Sequence, residues 1–184
     1  MIAGLPGVTE VAPVRRFFQE TRRARRAYSG IVAGATPELA DVLSLPLAEG
    51  RFLTEADMEG RRNVVVLGAA VADALFPGEE PLGQGIRIHQ EAYVVVGVLQ
   101  DGDIGIGTIT AEERDKSAFI PLSTCDARFG ERIRIVRGGT RRVEEVQLSD
   151  IYVTLRSPDD LPTTRESIRG LLEDAHAKPD WQVR

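Results

Sequence analysis

Few side chains in this chain carry the reactivity that catalysis needs. Cys125 is the lone cysteine, and His89 and His176 are the two histidines. A nucleophile needs a base within hydrogen-bond reach, and neither histidine lies near Cys125 along the chain. No Gly-x-Ser-x-Gly elbow and no Gly-x4-Gly-Lys-Ser/Thr phosphate loop occurs. Cys125 therefore reads as a small core or helix residue, and His89 as part of a polar hairpin turn. His176 reads as a residue at a helix C-terminus, where the helix dipole favours a cation. One cysteine and two distant histidines do not assemble the ligands of a structural zinc site. Asp101-Gly102-Asp103, with Glu112 at the twelfth position, has the outline of a calcium loop. Ile104 and Ile106 follow Asp103, however, and a third oxygen residue is missing. The glycines of that stretch open no helical pattern, so they are not a dinucleotide fingerprint. No catalytic residue, cofactor or metal site is expected.

Arginines carry the strongest local signal. Arg15, Arg16, Arg22, Arg23, Arg25 and Arg26 fall within twelve residues. Such a cluster can meet nucleic-acid phosphates, lipid head groups or protein carboxylates. The chain has 28 acidic and 23 basic residues, a net charge of −5, and only 5 % aromatics. An acidic total and few rings for base stacking argue against nucleic acid. In an extended ribbon these arginines most simply form a solvated face.

The elements that must hold these groups follow from patterning and punctuation. Residues 7–19 and 25–33 read as two long extended segments. Thr36 offers a helix N-cap with Pro37 at the first helical position, opening a short helix through Leu39, Val42 and Leu43. Residues 45–50 read as a loop. Thr54 and Asp57 have the spacing of a capping box, and Arg51 has Asp57 as a candidate carboxylate partner. The unbroken apolar run at 64–67 suits a strand covered on both faces, followed by a helix from Gly68 to Phe76. Ile86 to Ile88 and Tyr93 to Leu99 read as a hairpin about a turn at 89–91. A Gly- and Asp-rich loop spans 101–110, then a strand at 118–122 and a short helix capped by Ser123 or Thr124 and ending at Gly130. Residues 132–135 and 142–148 read as a hairpin turned by Gly138-Gly139. A half-exposed strand covers 151–155. Thr163 and Glu166 form a second capping box for a helix through Ile168, Leu171, Leu172 and Ala175. A last strand is expected at 181–183.

Composition bounds the rest. A chain of 184 residues with 42 % hydrophobic content can bury one good core or two small subdomains. The longest stretch free of charge is 27–37, too short for a membrane span of about 20 residues, and no export signal opens the chain.

The order of short motifs then becomes specific. Leu5-Pro6-Gly7-Val8 and Val11-Ala12-Pro13 are followed by Glu49-Gly50-Arg51-Phe52-Leu53-Thr54-Glu55-Ala56-Asp57, Val64-Val65-Val66-Leu67-Gly68 and Ala74-Leu75-Phe76. Next come Pro81-Leu82-Gly83-Gln84, Val95-Val96-Gly97-Val98-Leu99, Ile120-Pro121-Leu122-Ser123-Thr124 and Leu171-Leu172-Glu173-Asp174-Ala175-His176. The series resembles the extracytoplasmic core domain of MacB-type ABC transporter permeases, a family that includes lipoprotein-release permeases and, more distantly, FtsX. The resemblance implies an α+β fold in two parts. A porter-like subdomain is built from residues 1–50 and 149–184, with a β-rich second subdomain, 51–148, inserted. It implies no enzymatic activity and no cofactor, the ATPase being a separate domain or subunit. The partners implied are the permease's own transmembrane helices, a cognate ATP-binding subunit, a periplasmic adaptor or substrate, and a second copy in the intact transporter. The place implied is the extracytoplasmic side of the bacterial inner membrane. The functional site is then a surface, for which Arg15, Arg16, Arg22, Arg23, Arg25, Arg26, Asp101, Asp103, Glu112 and Glu113 are the candidates. The hairpin at 132–148 looks longer than the family usually has. The alternative is a free-standing solute- or protein-binding module, which would need an export signal and an apolar pocket.

Overall fold

The computed structural model describes residues 2–102, 110–130, 132–137, 140–145, 148–175 and 181–183. In chain order the strands are β1 (Val8–Arg23), β2 (Arg26–Ala35), β3 (Leu47–Gly50), β4 (Val64–Leu67), β5 (Gly85–Ile88), β6 (Glu91–Leu99), β7 (Ser117–Pro121), β8 (Arg132–Arg137), β9 (Thr140–Glu145) and β10 (Asp150–Leu155). The helices are α1 (Leu39–Val42), α2 (Glu55–Glu59), α3 (Ala69–Leu75), α4 (Ala111–Asp115), α5 (Leu122–Phe129) and α6 (Leu161–Ala175). The mixture of helices and strands that the resemblance implies is the one observed.

β1 and β2 form a long antiparallel ribbon, in unbroken register from Val14 opposite Ala35 to Arg23 opposite Arg26. β7 runs parallel to β2, β4 antiparallel to β7, and β6 parallel to β4. β10 lines the first part of β1, and β3 lies against β6. β5 hairpins with β6 and then pairs back to β1 through Thr21–Ile88 and Arg22–Arg87. Strands β1, β2, β7, β4, β6 and β5 therefore close on themselves.

Alternation along the strands sorts side chains onto two faces. Phe17, Val32, Val65, Leu67, Ile86, Ile88, Tyr93, Val95, Ala118 and Ile120 share one core with Val71, Ala72 and Leu75 of α3 and Cys125 of α5. Val14, Ala33, Ala35, Val66 and Phe119 point the other way, onto Leu39 and Leu43, Phe52 and Leu53. The continuous apolar run of β4 follows directly: Val65 and Leu67 serve one core and Val66 the other.

Cys125 has no exposed surface, and burial pushes its thiol up to about 12. Thiolate is the reactive form. Cys125 is expected to ignore a thiol reagent at mildly alkaline pH while the domain is folded, and to react fully once guanidinium unfolds it. Absorbance of the released thiolate reports both.

Several local expectations are corrected. Thr36 does not cap α1; its hydroxyl is buried without a hydrogen-bond partner, and its carbonyl accepts from the Leu39 N–H at 3.2 Å. Residues 47–50 form β3, because the open edge of β6 supplies a ladder that local sequence does not reveal. Ser123 and Thr124 sit inside α5 and donate instead to the carbonyls of Met58 (2.6 Å) and Arg62 (2.9 Å), tying α5 to α2. Thr163 lies within α6, which begins at Leu161 directly after a 3-10 turn at Pro158–Asp160. There the Ser157 hydroxyl accepts from the Asp159 N–H at 3.2 Å. Residues 181–183 form no strand. β8 and β9 make the expected hairpin, while Gly138, Gly139 and His176 lie outside the described residues.

Candidate interaction surface

The ribbon presents its arginines on both faces, and their fates differ. Arg15 points inward with Phe17 and is fully buried. Its guanidinium donates to Asp126 at 3.1 Å and to the Gly130 carbonyl, and its Nε has no partner. The expectation of a solvated face fails at Arg15, because an odd position on β1 faces the helices. Removing one partner of a buried pair costs most when the other is left buried, but Asp126 is 58 % exposed, so water takes up its charge when Arg15 is replaced. Arg15→Met is therefore expected within about 1.5 kcal/mol of the parent. Arg15→Ala, which leaves a cavity, is expected to lose about 2–4 kcal/mol. Chemical denaturation of the two variants checks the order.

Arg16 faces outward, half-buried, and pairs with Asp150 of β10 at 2.6 Å. Arg22, also outward, is exposed and pairs with Glu20 on its own strand. Arg23 and Arg26 both grip Glu79, each at 2.8 Å, and Arg26 also donates to the Leu75 carbonyl at 3.2 Å. The Arg23 guanidinium lies 4.3 Å from the centre of the Phe76 ring, a cation–π stack. The hydrogen bonds from Arg23 and Arg26 hold the Glu79 carboxyl down at about 2. These contacts clamp the ribbon tip onto the end of α3. Arg25 occupies the tip turn, exposed, with no ion pair among the described residues.

The described acidic part of the predicted surface is carried mainly by α4, whose end meets the ribbon where the Lys116 carbonyl accepts from the Ile31 N–H of β2 at 3.3 Å. Glu112 pairs with Lys116 one turn on, which lowers the Glu112 carboxyl. Glu113 closes a capping box with Thr110, whose N–H donates to the Glu113 carboxylate at 3.2 Å while the Glu113 N–H donates to the Thr110 hydroxyl at 3.1 Å. The spacing Thr110-x-x-Glu113 is the signal that would have found α4. Asp101 is exposed and lies beside Asp115, whose carboxyl is raised by burial first and by Asp101 in addition, against the lowering by Arg114. Arg114 is buried and donates to the Gly102 carbonyl at 2.9 Å. Asp103 lies outside the described residues. Among the described residues no group of three His, Cys, Asp or Glu is placed to hold a metal ion.

Arg51 does tie its loop to Asp57, with contacts of 2.6 and 3.2 Å to the two carboxylate oxygens. Thr54 adds its N–H at 3.0 Å and its hydroxyl at 2.7 Å to the same carboxylate, and Arg62 stands 3.6 Å away. Two exposed residues escape sequence reading. Phe18 is 74 % exposed on the outer face of β1, and Arg87 is exposed on β5, directly opposite Arg22. The alternation Ile86-Arg87-Ile88 marks Arg87 as outward, but only the return of β5 to β1 brings it to the ribbon.

The profile of the MacB-like periplasmic core domain family matches residues 1–171. The macrolide export ATP-binding/permease protein MacB of Rhodospirillum rubrum is 32 % identical over 185 residues, covering 100 % of this chain and 26 % of that protein. The pyoverdine export ATP-binding/permease protein PvdT of Pseudomonas aeruginosa is 31 % identical over 160 residues, covering 84 % of this chain and 24 % of that protein. The chain thus spans about a quarter of the length of the curated relatives it matches. In fold it is similar to the periplasmic region of MacB from Actinobacillus actinomycetemcomitans, with TM-score 0.75, 23 % identity, and coverage of 97 % of this chain and 72 % of that one. The extracellular domain of the ABC-type transporter YknZ from Gram-positive bacteria superposes with TM-score 0.74, 21 % identity, and coverage of 100 % and 84 %. None of the described helices is long and apolar enough to cross a membrane. With its profile match over most of its length, the chain belongs to the family of MacB-like periplasmic core domains.

Proposed function

We propose that this domain sits on the extracytoplasmic side of an export-type ABC permease and passes ATP-driven motion of the membrane helices to a partner or substrate outside. It does so without chemistry of its own, the ATPase being a separate domain or subunit. Residues 1–50 and 149–184 act as the porter-like base, 51–148 as the inserted second part, and the intact permease works as a dimer. The observation that carries this reading is the β1–β2 ribbon. β1 is 16 residues long, or about 50 Å at 3.3 Å per residue, and its register with β2 has no bulge. Its first part is held by β10 and its far end by β5. From Val14 to the tip the paired strands carry no bulge, the register shift of β1 against β10 lying at its start between Val8 and Glu10, so a push there reaches the tip without a hinge in the ribbon. Leu5-Pro6-Gly7 anchors the base, since the Gly7 carbonyl accepts from the Arg156 N–H at 2.8 Å and the Pro6 carbonyl from the Thr164 hydroxyl at 3.3 Å.

The test softens the ribbon where Gln19 faces Gly30. Two glycines inserted after each of these residues, in the full-length permease, should abolish export while leaving basal ATP hydrolysis intact. Undiminished export by a folded variant would overturn the lever.

A further inference from the structure

We propose that the outer face of the ribbon tip, centred on Phe18, Arg22 and Arg87, docks an acidic segment of a partner protein that also carries an apolar anchor. The proposal rests on the reading above for the position of the tip relative to the membrane.

The first observation is a like-charge pair. Arg22 and Arg87 are directly opposite in the β1–β5 register. Both stand on the outer face, since their neighbours Thr21, Ile86 and Ile88 are buried on the inner one. Like charges directly opposite across two strands destabilise the sheet. Arg22 has Glu20 beside it, but Arg87 and Arg25 have no ion pair among the described residues. This basic tip belongs to a domain of net charge −5. A carboxylate-rich partner would relieve the repulsion and accept the guanidinium forks in their preferred planar geometry.

The second observation is Phe18. Among the described large apolar residues it shows the greatest fraction of its surface, 74 %. It faces Ile31 across the ribbon, beyond the part of this face that α1, Phe52 and Leu53 cover. On the same face of β1 Phe18 stands between Arg16 and Glu20, with Arg22 beyond, and an exposed aromatic ring beside arginine has the composition of an interface anchor. A lipid surface is the weaker fit. The 3-10 turn Ile2–Gly4 and α6, tied to the Pro6 carbonyl through Thr164, lie at the start of β1, and the tip is about 50 Å of strand away. If the base is joined to membrane helices, the tip is the part farthest from their bilayer.

The experiment titrates the domain with a fluorescent peptide of alternating glutamate and leucine, and with one of alternating glutamate and serine. The parent should bind the glutamate–leucine peptide, less tightly as salt rises. Arg87→Glu should weaken binding at least about tenfold. Phe18→Ser should weaken the leucine peptide several-fold and leave the serine peptide unchanged. Arg87→Glu also sets opposite charges across the β1–β5 pair, so its Tm should rise by about 1–3 °C, which separates lost binding from lost fold. Absence of peptide binding, or equal binding by parent and Arg87→Glu, overturns the proposal. So does binding to phosphatidylglycerol vesicles in place of peptide, or self-association in sedimentation that Arg87→Glu abolishes. Failure of the lever is read in export by the glycine-insertion variant, and failure of the docking surface in peptide binding by the parent domain and its Arg87→Glu and Phe18→Ser variants, so the two ideas fail separately.

Discussion

Gly97→Ala is expected to lower the melting temperature of the domain by about 5–15 °C, an effect of about 2–4 kcal/mol. Gly97 of β6 pairs with Gly50 of β3. A Cβ on Gly97 would lie 2.2 Å from the Arg51 carbonyl oxygen and 3.0 Å from its carbon. A Cβ on Gly50, whose φ is +75°, would lie 2.3 Å from the Val96 carbonyl oxygen. These atoms are backbone, and the Arg51 N–H donates to that Val96 carbonyl at 2.9 Å. Neither chain can yield without opening the other's ladder, so overpacking here is not absorbed by a rotamer change. Gly85→Ala is the control, because a Cβ there meets nothing within 4 Å. Thermal unfolding by circular dichroism separates the two; a loss below about 2 °C for Gly97→Ala would refute the close approach.

Asp57→Asn is the second large effect, expected at about 2–4 kcal/mol near neutral pH. Burial alone would raise the Asp57 carboxyl, but the hydrogen bonds from Arg51 and Thr54 outweigh it and hold the carboxyl below its usual value of 3.8. A folded-state pKa below the unfolded one means that the carboxylate's contribution is fully present above the unfolded pKa. That contribution is lost as pH falls through it toward the folded value. The parent should therefore lose stability below about pH 4, and Asp57→Asn should lose less over the same interval. The loss should be structural as well as energetic: Asp57 has no exposed surface and gathers Arg51, Thr54 and Arg62 from the two sides of α2. Arg51 is itself 43 % exposed, which lets water compensate it and keeps the cost below that of a fully buried pair. Denaturant titrations of the two proteins at a series of pH values check both statements.

The fold was legible wherever a short stretch carried its own reason. The β4 run, the hairpin of β5 and β6, and the Thr54–Asp57 turn each follow from local patterning, and Asp57 was a candidate carboxylate for Arg51. What escaped depends on neighbours far away in sequence. β3 is a strand only because β6 offers an edge, and Ser123 and Thr124 abandon capping because the carbonyls of Met58 and Arg62 arrive beside them. The arginine ribbon shows the same limit. Six arginines in a row of twelve positions announce a basic ribbon, but alternation sends Arg15 into the core and Arg23 onto Phe76. The exposed remainder becomes a surface only through Phe18 and Arg87, and Arg87 arrives by the β5–β1 closure.

The proposed lever requires the β1–β2 ribbon to keep its length while its tip moves when the permease binds ATP. Spin labels at Thr9, beside β10, and at Arg25, at the ribbon tip, measure the lever's length in the reconstituted full-length protein. Energy transfer from Arg25 to labelled lipid measures the tip against the membrane. The account predicts an unchanged Thr9–Arg25 distance and a changed tip-to-membrane distance on ATP binding. A Thr9–Arg25 distance that changes with nucleotide, or a tip that stays put, would contradict it.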